Sequence, residues 1–212
     1  MSGTDGVFMR DRRACAFSLV ELLTVMAIVA LLAALTLPGM IGTLRASKLG
    51  SESLAVSDLL GYARQMAISR NLPVEVRFFQ LPDFNESPSA SPKVWRAVQA
   101  YVIDGASANP LTRPRYLSSP VIFSSDTTQS GMLTMTSQTS PVRVGGYGNP
   151  PFVALRFKPD GSAIPASGND PLSRNNSFLT LVMEGDRSVA QGANFATLQI
   201  DPLTGRVQIF RP

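Results

Sequence analysis

The sequence predicts an α+β fold. One long N-terminal helix, membrane-spanning in its first half and amphipathic in its second, packs on an antiparallel β-sheet head. Three observations carry this. The run from Phe17 to Leu37 is apolar except for Glu21, and its roughly 21 residues at 1.5 Å each cross about 30 Å of hydrocarbon. A helical pattern with polar punctuation continues to about Arg70. From Val74 onward the chain breaks into short alternating runs separated by turn residues. The expected segments are 1–16, ahead of the apolar run; 17–37, a transmembrane helix; 38–72, its amphipathic continuation; and 73–212, a β-rich head.

The basic cluster Arg10, Arg12 and Arg13 precedes the apolar run, which places the N-terminus in the cytoplasm and the head outside. A secretory signal would need a shorter apolar core with a small-residue cleavage site after it, whereas Ala14-Cys15-Ala16 comes before it. A lipoprotein signal fails for the same reason, since Cys15 lies ahead of the run. Arg12-Arg13 lacks the rest of a twin-arginine signal. A plain uncleaved anchor stays open, but it does not explain Glu21. A carboxylate inside an apolar helix costs about 2.5–3.5 kcal/mol on insertion scales, so it needs a partner. Cleavage before Phe17 would create an ammonium one turn from Glu21, and among parallel helices the amine of one chain could meet the carboxylate of the next.

Beyond the anchor, Pro38 and Gly39 are expected to kink or locally melt the helix. The pattern resumes from Ile41, with Leu44, Leu54, Ala55, Leu59, Tyr62, Ala63 and Met66 as the expected apolar face, and Asn71-Leu72-Pro73 ends it. Val74–Leu81 and Val94–Ile103 read as paired strands, Tyr116–Ser124 and Met132–Thr136 as weaker ones. Phe152–Phe157, Phe178–Met183, Ala196–Asp201 and Arg206–Phe210 complete the set. Pro202-Leu203-Thr204-Gly205 forms the last turn, with Gly205 at a left-handed position.

Composition narrows the chemistry. The 212 residues contain no His and one Cys. Ser-His-Asp and Cys-His catalysis, His-containing zinc sites and internal disulfides are therefore excluded. No catalytic residue, cofactor or metal is expected. Asp160, Asp170, Glu184, Asp186 and Asp201 sit beside turn residues and read as solvated acids. Asn169-Asp170 and Asp186 form no dense calcium loop. Gly145-Gly146-Tyr147-Gly148 lacks a P-loop lysine and reads as a flexible loop. The net charge of +4 is mild. Arg113, Arg115, Arg143, Arg156, Arg174, Arg187, Arg206 and Arg211 read as scattered surface charge, and Trp95, Tyr101, Phe78 and Phe79 as core.

Ala16-Phe17-Ser18-Leu19-Val20-Glu21-Leu22-Leu23 resembles the class III signal of type IV pilins and type II secretion pseudopilins. The resemblance implies cleavage by a prepilin peptidase between Ala16 and Phe17, N-methylation of Phe17, and Glu21 as the assembly glutamate. It also implies a kink at Pro38. Ala16 departs from the family's usual Gly and bears on the rate of processing; either Met1 or Met9 could start the leader. The late motifs, Phe157 to Gly161 and Thr204-Gly205-Arg206, are similar to those of H-type minor pseudopilins. More narrowly, the chain resembles the pilin-like Verru_Chthon cassette protein D family, a name that establishes no function. The implied protein is a structural subunit of the bacterial inner membrane and of a filament. Its implied partners are the peptidase, other pilin or pseudopilin subunits and the membrane. The alternative is a DNA- or ligand-binding filament-tip subunit with nucleic-acid contacts at Arg206 and Arg211, which is not favoured.

Overall fold

A computed structural model describes residues 18–83, 86–87, 93–141, 143–144, 146–166, 176–185 and 194–212, without the side chains of 35–41. The chain divides into two compact units, Met1–Thr43 and Leu44–Pro212. Helix α1, Leu19–Arg70, belongs to both. Among the described residues eleven antiparallel strands follow: β1 Val74–Leu81, β2 Val94–Asp104, β3 Ser107–Pro110, β4 Arg115–Tyr116, β5 Val121–Phe123, β6 Gln138–Thr139, β7 Pro151–Phe157, β8 Ala163–Pro165, β9 Phe178–Met183, β10 Ala196–Ile200 and β11 Val207–Phe210. They form one sheet in the order β11-β10-β9-β5-β2-β1-β7-β6, with β3 and β4 beside β2 and β8 beside β7.

Strand alternation explains the two cores. Along β1, Val74, Val76 and Phe78 face the helix, while Glu75, Arg77 and Phe79 face the other way. The helix-side core joins these to Val98 and Ala100 of β2, Phe123 of β5, Leu155 and Phe157 of β7, Leu181 of β9 and Leu198 of β10. Each such aliphatic or aromatic side chain contributes about 1.5–3 kcal/mol when fully buried. The second core, with Phe79, Leu81, Tyr101, Val144 and Phe152, occupies the far face. A bulge pairs Phe79 with Ala97 but Gln80 with Trp95, so Arg96 is the extra residue. That step returns Trp95 to the helix side, where it pairs across to Phe123.

The helix uses a different face from the one its pattern suggests. Leu49, Ser53, Val56, Leu60, Ala63 and Ala67 are buried at alternating steps of four and three, one stripe of an α-helix. Of the expected face, Ala63 is fully buried and Leu59 and Met66 pack at its margin, but Leu44, Leu54 and Tyr62 are exposed. The small residues at 53, 63 and 67 let the helix approach the sheet closely, and hydrophobicity alone does not mark them. A second difference lies at Met132–Thr136, which is no strand: Gly131–Thr134 makes a 3₁₀ turn. There Thr134 Oγ1 donates to the Gly131 carbonyl at 2.7 Å. A Cβ on Gly131 would lie 2.7 Å from the Asn176 Cα, so only glycine permits the approach.

Candidate functional site

In the N-terminal unit, α1 opens at the Ser18 carbonyl, which accepts from the amides of Glu21 at 3.0 Å and Leu22 at 3.2 Å. Glu21 stands in the first turn, exposed, at the positive end of the helix dipole. Around it Leu19, Val20, Leu22, Leu23, Val25 and Met26 are all exposed, on every side of the helix. A helix apolar all round and bare in the single chain requires a partner or a lipid phase to cover it. Among the described residues no helix is long and apolar enough to cross a membrane. Phe17 and the side chains of 35–37, which complete the expected span, lie outside them, as do Ala16 and the Pro38 side chain.

In the head, the two late motifs meet over the helix. Arg64 of α1 donates from Nε to the Thr204 carbonyl at 2.6 Å and to the Gly161 carbonyl at 3.4 Å. Gly161 and Gly205 have φ of 85° and 63°, in the left-handed region. The Gly205 amide donates to the Asp201 carbonyl at 2.7 Å, and Ala163 N to the Pro202 carbonyl at 2.9 Å. Asp160 accepts from the Ser162 hydroxyl and amide, which hold its carboxyl below the usual aspartate range. Two cavities flank Arg206. One of about 520 Å³ is lined by Arg64, Gln199, Asp201 and Gln208, among others. The other, about 550 Å³, lies between α1 and β11.

The arginines named as candidate nucleic-acid contacts part ways. Arg206 is exposed beside these cavities. Arg211 donates to the Ala46 carbonyl at 2.9 Å, its guanidinium lying over Gly50. Several other described cations are engaged at separate places. Arg115 bonds Glu52 at 3.0 Å, and Lys48 reaches the Ser119 carbonyl at 3.2 Å. Arg156 bonds Glu75 at 2.5 Å. Arg174, Arg187, Asp170 and Asp186 lie outside the described residues. Glu184, expected as a solvated acid, instead bonds Arg96 at 2.9 Å, with Asp83 on the other side of that guanidinium at 2.7 Å. The bulge puts this arginine between the segments just after β1 and β9 that carry the carboxylates. Among the described residues no group of three or more His, Cys, Asp or Glu could hold a metal ion.

A buried polar cluster on the far face escaped the sequence reading. Glu75 bridges Arg77, at 2.9 Å, and Arg156. The Arg77 guanidinium lies 4.2 Å from the Tyr101 ring centre and 4.7 Å from that of Phe152. This stacking offsets the loss at its Nη1, which is buried without a hydrogen-bond partner. Burial raises the Tyr101 phenol, against a smaller opposing effect of Arg77. The Val-Glu-Val-Arg alternation was the available signal, because it puts Glu75 and Arg77 on one face; the partner strand that brings Arg156 was not legible. The cluster is closed on itself and serves cohesion.

Two family profiles match the chain. That of the type II transport protein GspH covers residues 54–203. That of the prokaryotic N-terminal methylation motif covers residues 11–37. No curated protein matches. Among solved structures, the type IV minor pilin FimU of Pseudomonas aeruginosa strain PAO1 is similar at 13% identity and a TM-score of 0.40, over 78% of this chain and 93% of that one. That likeness is too faint to carry an argument.

Proposed function

The chain belongs to the family of the type II transport protein GspH, and we propose from that premise how it works as a minor pilin-like structural subunit. The observation that carries the reading is the order of the two matched regions: a methylation motif at 11–37 directly ahead of the family head at 54–203. The exposed apolar turns of α1 with their single carboxylate, Glu21, support it.

The subunit is made with a leader, 1–16, on the cytoplasmic side of the bacterial inner membrane. Segment 17–37 holds it there, 38–72 continues the helix, and 73–212 forms the head on the periplasmic side. The prepilin peptidase cuts between Ala16 and Phe17, and Phe17 is N-methylated. In the growing filament the Phe17 amine of one subunit pairs with Glu21 of its neighbour. This neutralises a carboxylate that is costly in an apolar phase and sets the stagger between subunits. The apolar surface left bare on α1 is covered by other helices of the same kind, and Pro38-Gly39 provides the bend that lets them pack. The helix–helix step draws on burial and one ion pair, and no covalent bond is made by the head. A DNA-binding role draws no support from Arg211, which is held on α1.

The test is the intact mass and N-terminal residue after co-expression with a prepilin peptidase. The expected product begins with N-methylated Phe17. An intact leader after full membrane insertion would overturn the processing step and return the chain to a plain anchored protein.

A further inference from the structure

The last strand, β11, is a sheet edge. It pairs with β10 on one side and with no strand of the described residues on the other. Which of its groups are free follows from the hairpin. Asp201 N donates to the Arg206 carbonyl at 2.9 Å, so these two residues form a hydrogen-bonded pair. In an antiparallel ladder such pairs alternate with non-bonded ones. Gln199–Gln208 and Thr197–Phe210 are therefore bonded, and Val207 and Ile209 direct N–H and C=O away from β10.

That free edge runs beside the helix. The cavity of about 550 Å³ has Gly205 to Gln208 on one wall and Ser57, Asp58, Gly61 and Arg64 of α1 on the other. At the far end of the strand, Arg211 reaches Ala46 across Gly50. On this flank Leu54, Gly61 and Ile68 follow one another at two-turn spacing and share a stripe. Leu54 is 58% exposed and Ile68 45%. A Cβ built on Gly61 would meet nothing within 4 Å. Bare ladder groups, bare apolar side chains and an open floor thus lie along one strip.

We propose that this strip is a β-augmentation site for an extended acidic segment of a neighbouring subunit. The incoming strand pairs with Val207 and Ile209 of β11, lays alternate apolar side chains on Leu54 and Ile68, and presents the carboxylates between them, on its other face, to Arg206. Charge selects the partner. Arg64, Arg206 and Arg211 border the strip against Asp58, while Asp201, on the other side of the hairpin, accepts the Leu203 amide at 2.9 Å. A strand carrying Lys or Arg would meet repulsion there. Only the identity of the donor, another subunit, rests on the function proposed above; the strip itself does not.

The full chain in detergent is titrated with a fluorescein-labelled octapeptide of alternating Val and Glu, and with a Val and Lys octapeptide of the same length. The acidic peptide should bind saturably and slow amide exchange at Val207 and Ile209 at least tenfold. Ile209→Pro removes an N–H that β10 does not use, so it should abolish binding while the chain stays folded, with a melting temperature lowered by the lost packing of Ile209 on the helix-side core. Arg206→Glu, which leaves the backbone alone, should weaken binding at least tenfold. Unchanged exchange at both amides under saturating peptide, or equal binding of the basic peptide, overturns the site. Maturation at Phe17 is scored on the same sample. Binding by a chain that keeps its leader under co-expressed peptidase retains the site and overturns the subunit reading, and a mature chain that binds nothing does the reverse.

Discussion

Gly205 stands where the last hairpin, the turn after β7 and the helix converge. A Cβ there would lie 2.3 Å from the Gly161 carbonyl oxygen, 3.1 Å from the Arg64 Cδ and 3.2 Å from the Phe157 Cδ1. Its φ of 63° is a second obstacle, independent of the first. Gly105 separates the two effects, since it has φ of 57° with nothing near its would-be Cβ. Gly105→Ala should cost about 1 kcal/mol, the left-handed strain alone, and Gly205→Ala at least about 2 kcal/mol more. Urea midpoints of the two variants provide the comparison, and equal shifts would refute the contact. The sequence marked Gly205 correctly as the left-handed residue of a tight turn, because Pro-Leu-Thr-Gly between two alternating runs has that local meaning. It did not reveal that Gly161 and Gly205 touch. They are separated by three strands of intervening chain, and no local pattern encodes which turns stack. The pairing of Glu75 with Arg156 was hidden for the same reason, since it depends on β1 lying next to β7.

Among the elements, the strands with the clearest alternation were the most legible. β1 and β9 have the bounds their patterns predict, and β10 and β11 are shorter by one residue each. The strands not foreseen, β3, β6 and β8, are two to four residues long and are held by neighbours more than by their own pattern. The helix was legible in extent and misread in orientation. Between Leu44 and Arg70 apolar residues occur on two flanks, and Leu44, Leu54 and Tyr62 are on the flank left open while Leu49, Val56 and Leu60 are buried. The face that packs on the sheet relies also on Ala63, Ala67 and Ser53, which register little hydrophobicity but allow close approach. Leu60, fully buried, anchors that face. Leu60→Ala should cost about 2–5 kcal/mol through the lost transfer and the cavity it leaves. Leu54→Ala, three-fifths exposed, should change stability by no more than about 0.5 kcal/mol. Thermal or chemical unfolding of both variants checks this. A reversed ranking would mean that the helix packs through the other flank.

For the whole molecule, the decisive balance concerns Glu21, the only charge among the exposed apolar residues of the first turns of α1. In a lone subunit the carboxylate is a burden. Near the centre of an apolar phase it would cost about 2.5–3.5 kcal/mol, less toward the interface. Removing it therefore favours retention of the single chain in the membrane. Within the assembly proposed above the sign would change, because a neighbour's terminal amine would satisfy the charge and the pair would fix the register of two otherwise featureless apolar helices. The two roles can be separated experimentally. Glu21→Ala should insert in the membrane fraction at least as well as the parent chain and mature at Phe17, yet enter filaments poorly. Glu21→Gln should fail in the same way, since it keeps the shape and loses the charge. Carbonate extraction measures the first property, and recovery in a sheared filament fraction the second. Equal filament recovery for Glu21→Gln would remove the charge from the mechanism and leave apolar packing alone to set the stagger. Equal recovery for both variants would show that the stagger is set by the heads.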